Sequence, residues 1–283
     1  MKTAQRGSTD ATLKLLLRSF KLPAFVREYG TVAERAGAEG LSHREYLAAL
    51  SEIEAAERDS RRTARLLEES KLPREKTLGS YDLGRLPANV RASFAGLRDG
   101  GFLERSVNVI AFGNPGTGKT HLLAALGQEL VRQNHTVLFA PTFQLVQRLL
   151  AAKRDLRLNQ ELRKLDRFEA LILDDIGYVQ QSREEMEVLF TLLAERYERR
   201  SVLITSNLPF SRWDQIFKDT MTTAAAIDRV VHHSVILELG PKSFRAEAAM
   251  ARARTAAPSE SVENAKENAS FPQRKKSVQK KER

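Results

Sequence analysis

The sequence predicts an α/β fold in which a five-stranded parallel sheet carries a phosphate-binding loop, preceded by a small all-α N-terminal domain. Three observations predict it. The stretch Gly113-Asn114-Pro115-Gly116-Thr117-Gly118-Lys119-Thr120 fits Gly-x-x-x-x-Gly-Lys-[Ser/Thr] in full. Five short, mostly apolar runs alternate with segments of helical period, the pattern of parallel strands covered on both faces. From residue 8 to about residue 70 the chain is helical in character, with no strand-like run.

Taken in order, residues 1–72 read as the helical domain. Pro23 suits the first turn of a helix, and Ser42-His43-Arg44-Glu45 is a capping box that opens a long helix ending near Pro73. Tyr46, Leu47, Leu50 and Ile53 share one side of that helix. Two readings of this module stand: a bundle whose charges are simply solvated, or a surface for DNA or a partner. Residues 73–105, with Pro73, Gly79, Gly84, Pro87, Gly96, Gly100 and Gly101, read as a linker holding one short helix over 87–98.

The nucleotide domain spans 106–250, with strands over 107–112, 136–140, 170–175, 201–207 and 234–239. The helix predicted over 121–134 carries Leu123, Leu126 and Leu130 at helical spacing, which puts its N-terminus on the phosphates. Further helices are expected over 142–154, from the capping box Ser182-Arg183-Glu184-Glu185 to about Arg199, and over 210–217 and 221–232. Residues 251–283 are polar and end in a basic cluster, so a disordered tail is expected.

Composition sets outer bounds. A chain of 283 residues can bury a real core. The absence of cysteine excludes a disulfide framework and any thiolate metal site, and agrees with a reducing cytoplasm. No apolar run approaches membrane-spanning length, so no membrane partner is expected. A formal charge of +10 favours a polyanionic partner.

The loop chemistry is specific. Its glycines let several backbone N–H groups turn inward as an anion receptor, Lys119 reaches the β- and γ-phosphates, and the Thr120 hydroxyl faces Mg²⁺. The strand over 170–175 ends in Asp174 and Asp175, and in an open parallel sheet ligands bind at the carboxyl ends of strands. Hydrolysis of ATP asks for a metal, a group that orients water, and positive charge in the transition state. Asp174 with Thr120 is the candidate for Mg²⁺, Asp175 for water activation, and Asn207 for positioning the water or touching the γ-phosphate, with loop hydrogen bonding as its competing reading. Arg229 is a candidate arginine finger, an ordinary ion pair being the competing reading. Lys153, Arg154, Arg157, Arg163 and Lys164 lie in a basic run that reads equally as a solvated helix surface or as a contact to a phosphate backbone. His232 and His233 are adjacent and cannot share a helix face, so they carry no metal reading here, and Trp213 with Phe217 reads as core packing.

Gly113 to His121, Leu171 to Tyr178, Thr205 to Trp213 and Asp228 to His233 together resemble the IstB group, helper ATPases of bacterial insertion sequences related to the DnaC helicase loaders within the AAA+ superfamily. The resemblance implies an AAA+ core and a DNA-associated ATPase that forms a homo-oligomer on ATP and duplex DNA and stimulates a partner transposase. By position it implies Lys119 and Thr120 as Walker A residues, with His121 closing that nucleotide-binding stretch. Asp174 and Asp175 match the Walker B pair, Asn207 sensor 1 and Arg229 the box VII finger, while Ser243-Phe244-Arg245 falls where some relatives carry a second sensor arginine. Many members have Asp-Glu where this chain has Asp174-Asp175, and the shorter side chain implies slow basal turnover without DNA. A replicative helicase loader of the DnaC type and, from another class, a small-molecule P-loop kinase stand as alternatives.

Overall fold

A computed structural model describes residues 2–177, 182–213, 220–240 and 243–244. The expected tail, Tyr178, Phe217 and Arg245 lie outside the described residues. Five strands, β1 (Asn108–Phe112), β2 (Val137–Pro141), β3 (Ala170–Asp174), β4 (Ser201–Ser206) and β5 (Ser234–Glu238), form one sheet in the order β2-β3-β4-β1-β5. All four pairings are parallel. The five predicted strands are therefore the five observed ones, to within a residue at their ends.

Alternation along the strands divides the core between two faces. Leu171 and Leu173 join a cluster with Leu149, Leu165, Leu189 and Ile204 under α7 (Thr142–Arg154), α8 (Leu158–Asp166) and α9 (Arg183–Arg196). Ile172, between them, faces α6 (Lys119–Arg132), where a Cβ on Gly127 would stand 2.9 Å from its Cδ1 and 3.0 Å from Leu72 Cδ2. Glycine at that helix position lets the helix, the sheet and the chain just after α3 approach one another.

Before the sheet come α1 (Lys2–Ser19), α2 (Pro23–Glu39) and α3 (His43–Glu69). Pro23 opens α2, and the Ser42–Glu45 capping box closes with both of its hydrogen bonds. Buried Glu54 of α3 accepts the Ala24 N–H at 2.8 Å, so one helix caps the first turn of another. The C-terminal end of α3 meets the sheet where the Ser70 carbonyl accepts the Phe139 N–H at 2.7 Å.

The linker holds α4 (Ala88–Ala95) and a single turn, α5 (Gly101–Glu104), and is tied along its length. Gln128 Nε2 donates to Pro73 O at 2.8 Å and to Lys76 O at 3.2 Å. The helix opened by Ser182 stops at Arg196, short of the expected Arg199, because Tyr197 leaves helical geometry at ψ 128° and Glu198 follows in the left-handed region at φ 56°. After it, α10 (Thr220–Val231) leads into β5.

Arg196 is a buried cation with no carboxylate paired to it among the described residues. Its guanidinium donates to Leu165 O at 3.0 Å, Phe168 O at 2.9 Å and Ser201 O at 3.0 Å, fastening the chain where β3 and β4 begin. Burial pulls its pKa down to about 10, which still leaves it charged at neutral pH. Arg196→Met strips three carbonyls of their donor and should lower unfolding free energy by about 2–4 kcal/mol in urea, with Arg196→Lys recovering only part. A loss below about 0.5 kcal/mol would show that the carbonyls find other partners.

Candidate functional site

The site is built at the carboxyl ends of β1, β3 and β4. Gly113 leaves β1 at φ 152°, and a Cβ there would stand 2.9 Å from the backbone oxygen of Leu239, so no side chain fits. Gly116 and Gly118 also take positive φ, at 83° and 91°, and Gly118 is the N-cap of α6. The loop thus brings its backbone against the N-terminus of a helix of 14 residues, where N–H groups and the helix dipole favour an anion.

Lys119 is buried within this turn. Its Nζ donates to Gly113 O at 2.8 Å and Asn114 O at 2.9 Å, so the ammonium lies inside the loop it belongs to. Thr117 is also buried and donates its hydroxyl to Asn114 O at 2.9 Å, which holds the turn closed from the other side. Asn114 and Pro115 are exposed, whereas Thr120 is half-buried in the first turn of α6. His121 points elsewhere: Nε2 lies 3.0 Å from Thr77 O and 3.2 Å from Ser80 Oγ, and its ring stands edge-on to Tyr81 at 5.1 Å. It pins the linker to α6 instead of facing the phosphate turn. Burial of Tyr81 against it pushes that phenol up to about 12.

The acids sit two strands away, roughly 10 Å at ordinary strand spacing, with β4 between them and the loop. Thr205, buried in β4, joins the pair: its hydroxyl donates to Asp174 Oδ1 at 2.7 Å and accepts the Asp175 N–H at 2.7 Å. Thr142 adds a bond from its hydroxyl to Asp174 O at 2.9 Å. Asp174 ends β3 half-buried, whereas Asp175 has left the strand in the left-handed region at φ 64° and is exposed. The two acids thus differ in backbone conformation and in burial. Thr205 went unassigned in the sequence; the available signal was a hydroxyl inside an otherwise apolar strand.

Register places Asn207 beside the loop, since Phe112 pairs with Ser206 and the next residues are Gly113 and Asn207. Among the described residues its Oδ1 is buried without a hydrogen-bond partner. A buried acceptor of this kind calls for a donor, and an O–H of water or of a ligand suits it.

Arg229 lies at the other end of the sheet. The next residue's carbonyl, Val230 O, accepts from Asn108 Nδ2 at 3.0 Å, at the start of β1, while the loop leaves its end. That strand spans roughly 13 Å. The guanidinium donates to Ala225 O at 3.1 Å and stacks over Phe190 at 4.9 Å, and no carboxylate among the described residues pairs with it.

The basic run forms a helical hairpin, α7 and α8, whose tip carries Leu156 at φ 57° and 94% exposed. Lys153 pairs with Glu187 at 2.7 Å, Arg154 with Glu184 at 3.7 Å, Arg157 with Asp155, and Lys164 with Glu161. Arg163 is exposed.

The loop, the buried ammonium and the carboxylate of Asp174 fit a nucleoside triphosphate with a divalent cation. A phosphate would face glycine backbone and Lys119, and Thr120 and Asp174 would offer the hard oxygen ligands that magnesium takes.

Comparison with known proteins agrees with this arrangement. Residues 15–251 match the family described as IstB-like ATP binding protein. An insertion-sequence ATP-binding protein of Sinorhizobium fredii is 41% identical over 88% of this chain and 84% of its own length. The ATP-binding protein of insertion sequence IS21 from Pseudomonas aeruginosa is 38% identical over 82% of this chain and 88% of its own. Among solved structures, DnaI matches at TM-score 0.51 and 22% identity over 60% of this chain and 95% of its own. The DnaC helicase loader matches at 0.51 and 16% over 59% and 98%. At such identities these likenesses bear on fold alone, and the fold is that of the AAA+ P-loop domain.

Thr205→Val removes the anchor of Asp174 and leaves the Asp175 N–H without its acceptor. ATP affinity in magnesium should fall about tenfold, as for other residues that orient a metal ligand, while affinity in EDTA holds. Equal affinity for the variant in magnesium would mean that Asp174 does not serve the cation.

Proposed function

We propose, from the premise that the chain belongs to the family of IstB-like ATP-binding proteins, that it is an ATP-dependent helper of transposition, which assembles on duplex DNA and stimulates a partner transposase. The observation that carries the reading is the division of the hydrolytic groups. The loop and acids stand at one end of the sheet and Arg229 at the other, so one chain does not complete its own site. A second copy presenting Arg229 would. Hydrolysis then follows assembly.

Within a site, Lys119 and the loop N–H groups bind the phosphates and neutralise charge. Magnesium, when bound, spreads positive charge over the β- and γ-phosphates; Thr120 and Asp174 would hold it. Asp175 takes the proton side of the attacking water, and Asn207 Oδ1 accepts from the same water and fixes its direction. Asp175 reaches from a backbone position outside the strand, and its short side chain makes hydrolysis slow until neighbours and DNA order the site.

For DNA, the α7–α8 hairpin is the proposed contact. It offers Lys153, Arg154, Arg157, Arg163 and Lys164 to phosphates, and Leu156 at its tip is an apolar side chain suited to a base step. Residues 1–72, as a helical domain, would face DNA or the transposase, and residues 73–105 would link that domain to the ATPase domain over 106–250.

Light scattering with ATP or ADP, with and without duplex DNA, tests the reading: ATP and DNA together should give the largest particle, and Lys119→Ala should lose it. An unchanged particle in Lys119→Ala would overturn the proposal. Asp175→Asn and Arg229→Ala, which both keep the phosphate loop and so the assembly, should each abolish hydrolysis, yet an equal mixture should regain about a quarter of the parental rate, the chance that an intact acid meets an intact finger in random assembly. No recovery would place the finger within one chain. Replacing Lys153, Arg154 and Arg157 by Ala should flatten the salt dependence of duplex binding by up to about 0.9 log unit for each phosphate that is no longer neutralised, and an unchanged slope would place the DNA on another surface.

A further inference from the structure

We infer that Glu198, His232 and His233 form a binding site for a transition-metal dication of the zinc class, separate from the nucleotide site. One ligand atom from each of the three lies within 4.8 Å of the others. The adjacency of the two histidines is no obstacle, because they do not sit on the helix. Both follow α10 in the turn before β5, and their rings lie 4.2 Å apart. The left-handed backbone at Glu198 follows the end of α9 and brings its carboxylate to the same place.

The spacing distinguishes this group from an ordinary polar cluster. His233 Nε2 and Glu198 Oε1 are 3.7 Å apart, beyond a hydrogen bond but close to the ~3.3 Å edge of a tetrahedron built on zinc bonds of about 2.0–2.1 Å. Tyr197 bonds Glu198 and also makes a contact that a ligating imidazole needs. Tyr197 Oη lies 3.1 Å from His232 Nδ1, so with Nδ1–H donating to the phenol oxygen, Nε2 keeps its lone pair for a metal. Two imidazoles and one carboxylate are a donor set for zinc, nickel or copper and not for magnesium, which takes oxygen. Three protein ligands leave a fourth position for water or for a group from another molecule.

The two helix ends favour a cation here. The cluster residues directly follow the C-terminal ends of α9 and α10, each of which carries partial negative charge. An ion at this point ties the ends of the two helices together. It also lies three residues beyond Arg229, so on the proposed function it would fix the segment that presents the finger. The binding itself does not depend on that reading.

The test is titration of the untagged full chain with zinc in excess magnesium, read by competition with a chromogenic chelator. One equivalent should bind. His232→Ala, His233→Ala and Glu198→Gln should each weaken binding at least tenfold, as all three side chains are exposed and the fold should survive, which circular dichroism checks. X-ray absorption of the loaded protein should show nitrogen and oxygen neighbours at about 2.0–2.2 Å with imidazole scattering. Zinc bound equally tightly by the double variant His232→Ala/His233→Ala would place it on His43, His121 or His135 and overturn the inference. Absence of stoichiometric binding would leave the pair as a surface contact between Glu198 and His233 and overturn it equally. Neither result touches nucleotide binding.

Discussion

The ammonium of Lys119, buried against the carbonyls of Gly113 and Asn114, is the interaction on which the rest of the structure depends. A charge withdrawn from water is costly unless polar groups receive it, and the two carbonyls hold this one inside the turn. A phosphate offers the same ammonium a full negative charge within a turn already shaped by glycines. An ammonium already held inside the loop would meet such a phosphate with little reorganisation, provided that the turn is held in place beforehand. The close approach of Leu239 O to Gly113 and the bond from Thr117 to Asn114 do this. So does the N-terminus of α6, which begins within the loop.

Topology fixes what lies around that charge. With β4 between β1 and β3, a residue at the end of β4 can touch both the loop strand and the acid strand, and Thr205 and Asn207 occupy those positions. The same order forces the approach to β5, which carries Arg229's helix, to the opposite end of the sheet. Parallel strands need a crossover, so a group just before a strand and a group just after its neighbour cannot meet within one chain. The proposed requirement for a second copy is thus a consequence of strand direction. On the other face, α6 grips the linker through Gln128 and His121, and α3 reaches β2 through Ser70 O. Phosphate site, linker and N-terminal helices are joined by one helix.

Local signals were legible in the sequence and non-local ones were not. The glycine loop, the two capping boxes and the five strands are set by residues a few positions apart, so pattern alone located them. Thr205 meets Asp175 across 30 residues and Arg196 meets Leu165 across 31, distances over which no periodicity speaks. The helix of 14 residues from Ser182 was read three residues too long because a glutamate, not a glycine, takes the left-handed turn at its end. His121 was read with the loop because it is next in sequence, yet at the start of a helix successive side chains point about 100° apart, and its own points to the linker. His232 and His233 were judged as helix residues; the turn that holds them depends on where α10 stops.

Ion pairing of the basic hairpin does not weigh against a phosphate contact. Lys153, Arg154, Arg157 and Lys164 each rest on an acid in the free chain, but the pairs are exposed, and such pairs contribute between about 0 and 1 kcal/mol each. A phosphate backbone repays their loss with counterion release, a gain that surface carboxylates lack because they carry no condensed ions. Over 148–167 seven cations, Arg148, Lys153, Arg154, Arg157, Arg163, Lys164 and Arg167, face three acids, Asp155, Glu161 and Asp166, so a surplus of charge persists with every local pair made. The acids fix the side chains on the hairpin surface in the free protein and would reduce the entropy lost on the proposed exchange for a phosphate backbone. Leu156 fits the same picture: a leucine in a left-handed position and in water is doubly unfavourable for the free chain, and only an apolar or stacked partner relieves the exposure.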